Sequence, residues 1–257
     1  MDIMVIVAIV IGFGGILVGF VLEKGVISAL LQPTAAIIVF GALIGALLLS
    51  YPLENIKELP KIFKIFMTKH KDNREDIITS FGELSNKVRK EGLLVLETEL
   101  HARPYDEFMV HGLNLVVDGV DGETIRKSLE IRIDNMEERH EKGRSMFEAA
   151  AGYAPTMGVL GTVCALVNVL GDLSNVAELG PKIAVAFIAT LYGVGSANLL
   201  FMPIASRLKA IDSEEIITKS MIIEGVMLIY SGSNSSLIEE RLRGFLKNEE
   251  KKATEGE

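Results

Sequence analysis

Two stretches of uncharged sequence carry the residues best suited to handling a small cation. One reads Ala154-Pro155-Thr156-Met157-Gly158-Val159-Leu160-Gly161-Thr162. The other reads Ala189-Thr190-Leu191-Tyr192-Gly193-Val194-Gly195-Ser196-Ala197-Asn198 and continues to Met202-Pro203. Thr156, Thr162, Asn168, Thr190, Ser196 and Asn198 offer hydroxyl and amide groups without charge. Pro155 and Pro203 each remove a backbone donor and so free a carbonyl of the helix ladder. Such groups could coordinate a cation or a water while staying neutral. An ordinary reading of the same residues stands beside that one: Thr and Ser bond back to their own helices, and the prolines kink them. Neither stretch contains Asp, Glu, Lys, Arg or His. Ion paths through membranes are usually marked by an ionisable residue, so if an ion passes here, the group that binds and releases it must come from another chain.

Enzyme chemistry finds little support. His70, His101, His111 and His140 are scattered, with no His-Glu-x-x-His and no cysteine partner. There is no Gly-x-x-x-x-Gly-Lys-Ser/Thr phosphate loop and no Gly-x-Ser-x-Gly elbow. His140 beside Glu141 reads as a solvated helix face. Cys164 is the single cysteine, so no intrachain disulfide or cysteine metal site can form. The expectation is a protein without catalytic residues, cofactor or metal.

The elements that must position those residues are set by charge segregation. Residues 3–22, 33–53, 149–171 and 183–206 hold no Asp, Glu, Lys, Arg or His. Each has the roughly 20 apolar-dominated residues that cross a ~30 Å hydrocarbon core as a helix. Of the 26 Lys and Arg residues, all but Lys24 and Lys182 fall in residues 54–148 or 207–257. The positive-inside rule then places the insert, the C-terminal tail and the N-terminus in the cytoplasm. The net charge of −8, with basic and acidic residues interleaved, argues against nucleic acid. The first span lacks a basic leader and a second span follows closely, so it reads as a retained helix. The expected fold is all-α: a polytopic integral membrane protein with four transmembrane helices and a helical cytoplasmic domain. Residues 1–53 form a first hairpin, 54–148 a cytoplasmic domain, 149–206 a second hairpin and 207–257 a cytoplasmic helical tail.

Local signals fill in the rest. Gly15-x-x-x-Gly19 and Gly41-x-x-x-Gly45 suit close helix packing in lipid. Residues 59–67 alternate aromatic and aliphatic residues with lysines, which fits either a helix on the membrane surface or a half-buried helix of the soluble part. Ile77, Ile78, Phe81, Leu84 and Val88 recur at helical spacing, and Gly92 is a point of interruption. A further helix covers about 106–117, Asp118–Gly122 is a turn, and Asp121 can cap the next helix. From Glu123 to Gly171 one continuous helix would be roughly 70 Å long. The tail is helical to about 229 and again over 237–247, with a charged, disordered end.

Taken together, these pieces resemble the flagellar motor stator A subunits, the MotA/PomA family. The resemblance spans nearly the whole chain. It is carried by Ala154–Thr162, by Thr190-Leu191-Tyr192-Gly193 with Asn198 and Pro203, and by Arg89 and Glu97 in Asn86-Lys87-Val88-Arg89-Lys90-Glu91-Gly92-Leu93-Leu94-Val95-Leu96-Glu97. It implies a subunit of an inner-membrane motor complex, with both termini cytoplasmic. Several A subunits, understood to be five, surround a pair of B-type (MotB-like) subunits whose transmembrane aspartate takes up and releases the coupling ion, H+ or Na+. Ion flow turns the ring, and its cytoplasmic charges push the rotor switch protein FliG. By motif position, Thr190 and Thr162 line the ion path, Pro155 and Pro203 couple ion movement to conformational change, and Arg89 and Glu97 contact the rotor. The related ExbB/TolQ class, which energises outer-membrane processes, is the alternative. Its one span before the insert does not match the two found here.

Overall fold

The computed structural model describes residues 2–69, 72–174 and 176–246. His70 and the charged end expected beyond 247 lie outside the described residues. Those within 1–69 and 140–210 form one compact unit, and those within 70–139 and 211–257 form another. Among the described residues every regular element is helical.

The first unit holds the spans. Helix α1 (Ile3–Leu22) begins at Asp2, whose side chain accepts from Met4 N–H at 3.1 Å. A 3₁₀ turn (Ile27–Leu30) leads to α2 (Pro33–Ser50). Proline at the first helical position costs no hydrogen bond there. Helix α2 stops earlier than the expected 53, because Pro52 holds Tyr51 extended at φ −130°, ψ 142°. Helix α3 (Leu53–Met67) follows, longer than the 59–67 expected. It buries Phe66 against Val5, Phe147 and Ile204 at the ends of the spans, while Lys61 and Lys64 stay exposed. Helix α7 (Gly122–Leu170) is continuous for 49 residues and contributes its residues from His140 onward to this unit.

Helix α8 (Val176–Ser196) starts well before the expected 183, which takes Lys182 into a helix. There its ammonium meets Asp172 at 2.6 Å. A π turn (Ala197–Phe201) then joins α8 to α9 (Met202–Tyr230). Among the described residues, four helices are long and apolar enough to cross a membrane. Their buried residues are mostly small or β-branched, such as Ala35, Val39, Ala150, Ala154, Ala189 and Ala197. Small residues let helices approach where lipid supplies no hydrophobic drive between them.

The second unit has a larger aliphatic core. Helix α4 (Arg74–Glu91), α5 (Val95–Ala102), α6 (Glu107–Val117), the start of α7, the end of α9 and α10 (Ser235–Arg243) surround Phe81, Leu96, Leu113, Leu129, Ile222 and Ile238. The residues expected as a separate tail after 207 thus pack into the same core as the insert. Asp106 caps α6, and Asp121 accepts from Thr124 N–H at 2.9 Å at the start of α7. Arg74 is almost fully buried, and its guanidinium is answered by Asp72, by Glu214 at 2.8 Å and by the Phe245 carbonyl at 3.2 Å. A buried cation needs this full set of acceptors. Burial, together with the nearby Arg132 charge, pushes the His111 imidazole below its usual range.

Candidate ion path and its supports

Helices α7 and α8 touch backbone to backbone. A Cβ on Gly193 would sit 2.5 Å from the Ala154 carbonyl oxygen and 2.9 Å from Gly158 Cα. One on Gly158 would lie 3.0 Å from the Ala189 carbonyl oxygen and 3.2 Å from Gly193 Cα. Only glycine fits this crossing. The spacings at Gly15/Gly19 and Gly41/Gly45 make no such contact within the chain, since a Cβ at any of them meets nothing within 4 Å.

The close crossing brings two threonines from different helices together. Thr162 Oγ1 of α7 lies 2.6 Å from Thr190 Oγ1 of α8. Thr162 also reaches two carbonyls, Gly158 O at 3.1 Å and Ala186 O at 3.0 Å. A hydroxyl has one hydrogen and two lone pairs. The set is satisfied when Thr162 donates to a carbonyl and Thr190 donates to Thr162. Thr190 Oγ1 then keeps its lone pairs as acceptors, the polarity a cation requires. Both residues are half-buried. The other polar groups behave in the ordinary way. Thr156 donates to Tyr153 O at 2.7 Å, Ser196 to Gly193 O at 3.1 Å and Asn198 to Val194 O at 3.0 Å, each within its own helix. Asn168 is exposed.

Tyr192, in the same turn as Thr190, ties α8 to the first hairpin connection. Its hydroxyl donates to Leu30 O at 2.5 Å and accepts from Gln32 N–H at 3.1 Å, and its ring stacks on Phe40. Both partners are backbone groups in distant sequence, so no local pattern announces this role.

The two prolines differ. Pro155 sits inside α7 without ending it, half-buried and one turn before Gly158. Pro203 follows the π turn, in which Met202 N–H bonds to Ala197 O, five residues back. A proline ring collides with the carbonyl four residues earlier. Widening the preceding turn is one way to relieve that collision, and π turns recur at functional positions in helices.

Arg89 and Glu97 do not share one helix. Arg89 lies in the last turn of α4 and Glu97 in the first turn of α5. Gly92 separates them at φ +88°, in the left-handed region that favours glycine. The interruption expected at Gly92 is thus present, and the two residues are not carried on one continuous helix. Both side chains are exposed, and neither joins an ion pair among the described residues.

Four apolar helices, a helical charged unit and a neutral hydroxyl pair between two spans define a multi-pass helical membrane protein. Comparison with known proteins narrows this. Residues 101–221 match the model of the MotA/TolQ/ExbB proton channel family, and residues 6–92 match that of the motility protein A N-terminal region. The chain is 39% identical to motility protein A of Borreliella burgdorferi over 92% of this chain and 90% of that one. It is 34% identical to chemotaxis protein PomA of Vibrio alginolyticus over 99% of both. A chain of the flagellar MotAB stator complex of Bacillus subtilis superposes with a TM-score of 0.90 at 35% identity, covering 97% of this chain and 98% of that one. The chain belongs to the MotA/TolQ/ExbB proton channel family, within its MotA/PomA branch of flagellar motor stator A subunits. It is a motor component and not an enzyme.

Proposed function

We propose that this chain forms a ring, of five copies, around a B-type (MotB-like) partner, and that ion flow at their contact turns the ring against the rotor switch protein FliG. The observation that carries the reading is the Thr162–Thr190 pair: a neutral acceptor lies between two stretches, 149–171 and 183–206, that contain no Asp, Glu, Lys, Arg or His. The partner's membrane carboxylate supplies the proton- or sodium-binding charge, and Thr190 Oγ1 is the first oxygen of this chain to meet the ion. Thr162 holds Thr190 in its acceptor orientation. Pro155 and Pro203 turn ion binding into helix movement. The termini and the second unit lie in the cytoplasm, where the exposed Arg89 and Glu97 meet opposite charges on the rotor. Exposed charges steer encounter and register more than they supply affinity, which suits contacts made and broken at each step. The break at Gly92 sets the two charges on separate helices, so they read as two contacts and not as one stripe.

Thr190→Val is expected to give immotile cells with normal filaments, while Thr190→Ser keeps swimming because it keeps the hydroxyl. Swimming speed followed against sodium at fixed proton-motive force identifies the coupling ion. A Thr190→Val strain that swims normally would sink the assignment of the path. For the rotor contact, Arg89→Glu is expected to lower swimming while fluorescently tagged stators still gather at motors. A charge reversal on the rotor should restore part of the loss. Loss of stators from motors in Arg89→Glu would make the residue structural.

A further inference from the structure

A cavity of about 450 Å³ lies between α1, the end of α3 and the segment from Asn198 to Arg207. It follows α1 from Met4 to Phe13, roughly 14 Å at the helical rise. That is about half of a ~30 Å hydrocarbon core, the depth of one leaflet. Its walls are aliphatic and aromatic except for Asn198, already bonded within its helix, and Arg207 at one end. The Arg207 guanidinium donates to Asp2 and lies 5.8 Å from the centre of the Phe66 ring. Its Nε is buried and meets no acceptor among the described residues. The end of the cavity at Asp2 is therefore charged, with one strong donor unanswered, and the rest is apolar.

We propose that this cavity binds an ethanolamine phospholipid of the leaflet on the Asp2 side, with an acyl chain along α1, the phosphodiester at Arg207 and the ammonium at Asp2. A cavity that opens to hydrocarbon takes an apolar occupant. The phosphate then supplies what the chain lacks, an anionic acceptor for Arg207 Nε, and the ammonium adds a second cation beside the Asp2 carboxylate that Arg207 already pairs. Basic sites between spans at the headgroup level are known hosts for lipid phosphates. A second copy of this chain fits less well. The stretches 3–22, 33–53, 149–171 and 183–206 contain no Asp, Glu, Lys, Arg or His, so one of them laid against α1 would cover the walls but bring no anion to Arg207. A lipid with a purely anionic headgroup would answer Arg207 Nε but bring a second negative charge beside the Asp2–Arg207 pair, with no cation of its own to offset it. The assignment needs only that α1 spans the bilayer, whichever direction it runs. Since Leu199, Leu200 and Pro203 form one wall, the lipid would lie against the π turn.

The test uses the full stator complex, extracted in polymer-bounded lipid discs, exchanged into detergent and assayed for retained phospholipid by mass spectrometry. The expected result is an ethanolamine phospholipid kept by each A chain through the exchange. Arg207→Gln should reduce retention about fivefold, the scale of one basic residue at a lipid surface. Gly12→Leu should do so as well while leaving the Asp2–Arg207 pair in place. A Cβ at Gly12 meets only Leu199 Cδ2, at 3.4 Å, so its side chain enters the cavity without a backbone clash. Asp2→Asn should keep a phospholipid but weaken the preference for ethanolamine. A photo-reactive residue at Ala8 should yield lipid adducts. Equal retention in all variants, or no retained lipid in the unaltered complex, overturns the proposal. So does a dimer of A chains as the main product of cross-linking at Ala8.

Discussion

Gly193→Ala should abolish swimming, whereas Gly195→Ala, two residues along the same helix, should leave it intact. At Gly193 the added carbon would lie 2.5 Å from Ala154 O, 2.9 Å from Gly158 Cα and 3.1 Å from Gly158 N. All three are backbone atoms of α7, so no side-chain rotation relieves the collision and the two helices must move apart. Overpacking of a well-fitted contact typically costs about 1–3 kcal/mol, and contacts with rigid backbone lie at the upper end. The functional loss should exceed the stability loss. The Thr162–Thr190 contact is a 2.6 Å hydroxyl pair, and hydrogen bonds weaken steeply once donor and acceptor separate. A shift of a fraction of an ångström would therefore release Thr190 from its acceptor orientation before the helices come apart. At Gly195 a Cβ meets nothing within 4 Å, and Ala in a helix interior is favoured over Gly by roughly 0.5–1 kcal/mol. Gly158→Ala should resemble Gly193→Ala in a milder form, because its nearest contact is 3.0 Å. Soft-agar swimming and membrane levels of the protein, measured together, check the set. If Gly193→Ala swims as Gly195→Ala does, the crossing does not hold the path.

The contrast between these glycines shows what sequence can disclose about this fold. The spans are legible because a run of residues without charge has one stable environment, and the caps at Asp106 and Asp121 because capping is local. The glycines of the crossing stand in plain view beside Pro155 and Tyr192, yet their spacing is less regular than Gly15-x-x-x-Gly19. Which glycine meets a neighbour depends on how two distant segments cross, and a single helix carries no record of that. The partners of Tyr192 at Leu30 and Gln32, and the pairing of Asp2 with Arg207, are hidden for the same reason. Thr162 and Thr190 can be named by type and by resemblance, but only the crossing makes them meet each other, in addition to the contact Thr162 keeps with Gly158 O in its own helix. Local signals can also stop short. Gly92 is visible as a breaker, while its positive φ, which puts Arg89 and Glu97 on different helices, is not.

Pro203→Ala should produce a protein that is more stable and does not drive swimming. A proline inside a helix costs about 3 kcal/mol through the lost hydrogen bond and the clash with the carbonyl four residues earlier. Here the chain carries that burden next to a π turn, with Met202 N–H bonded back to Ala197 O. Alanine restores an N–H at 203 that can bond to Leu199 O, so the wide turn loses its cause and can tighten to an α-helix. A regular helix through 196–205 is stiffer, and it would re-aim Arg207, which sits one turn past Pro203 and holds Asp2 at the start of α1. If Pro203 served packing alone, replacing it would lower stability, or leave both stability and swimming unchanged; its side chain is exposed, so little packing is there to lose. A mechanical role predicts the opposite pairing, with thermal unfolding of the purified complex shifted upward and motility lost. Stators must still assemble at motors in this variant, since neither the α7–α8 crossing nor the core of the second unit contains Pro203. Pro203→Gly separates stiffness from the ring itself: it returns the N–H but keeps the segment pliable, and should retain more swimming than Pro203→Ala. Equal swimming in the parent and both variants would remove the π turn from the mechanism.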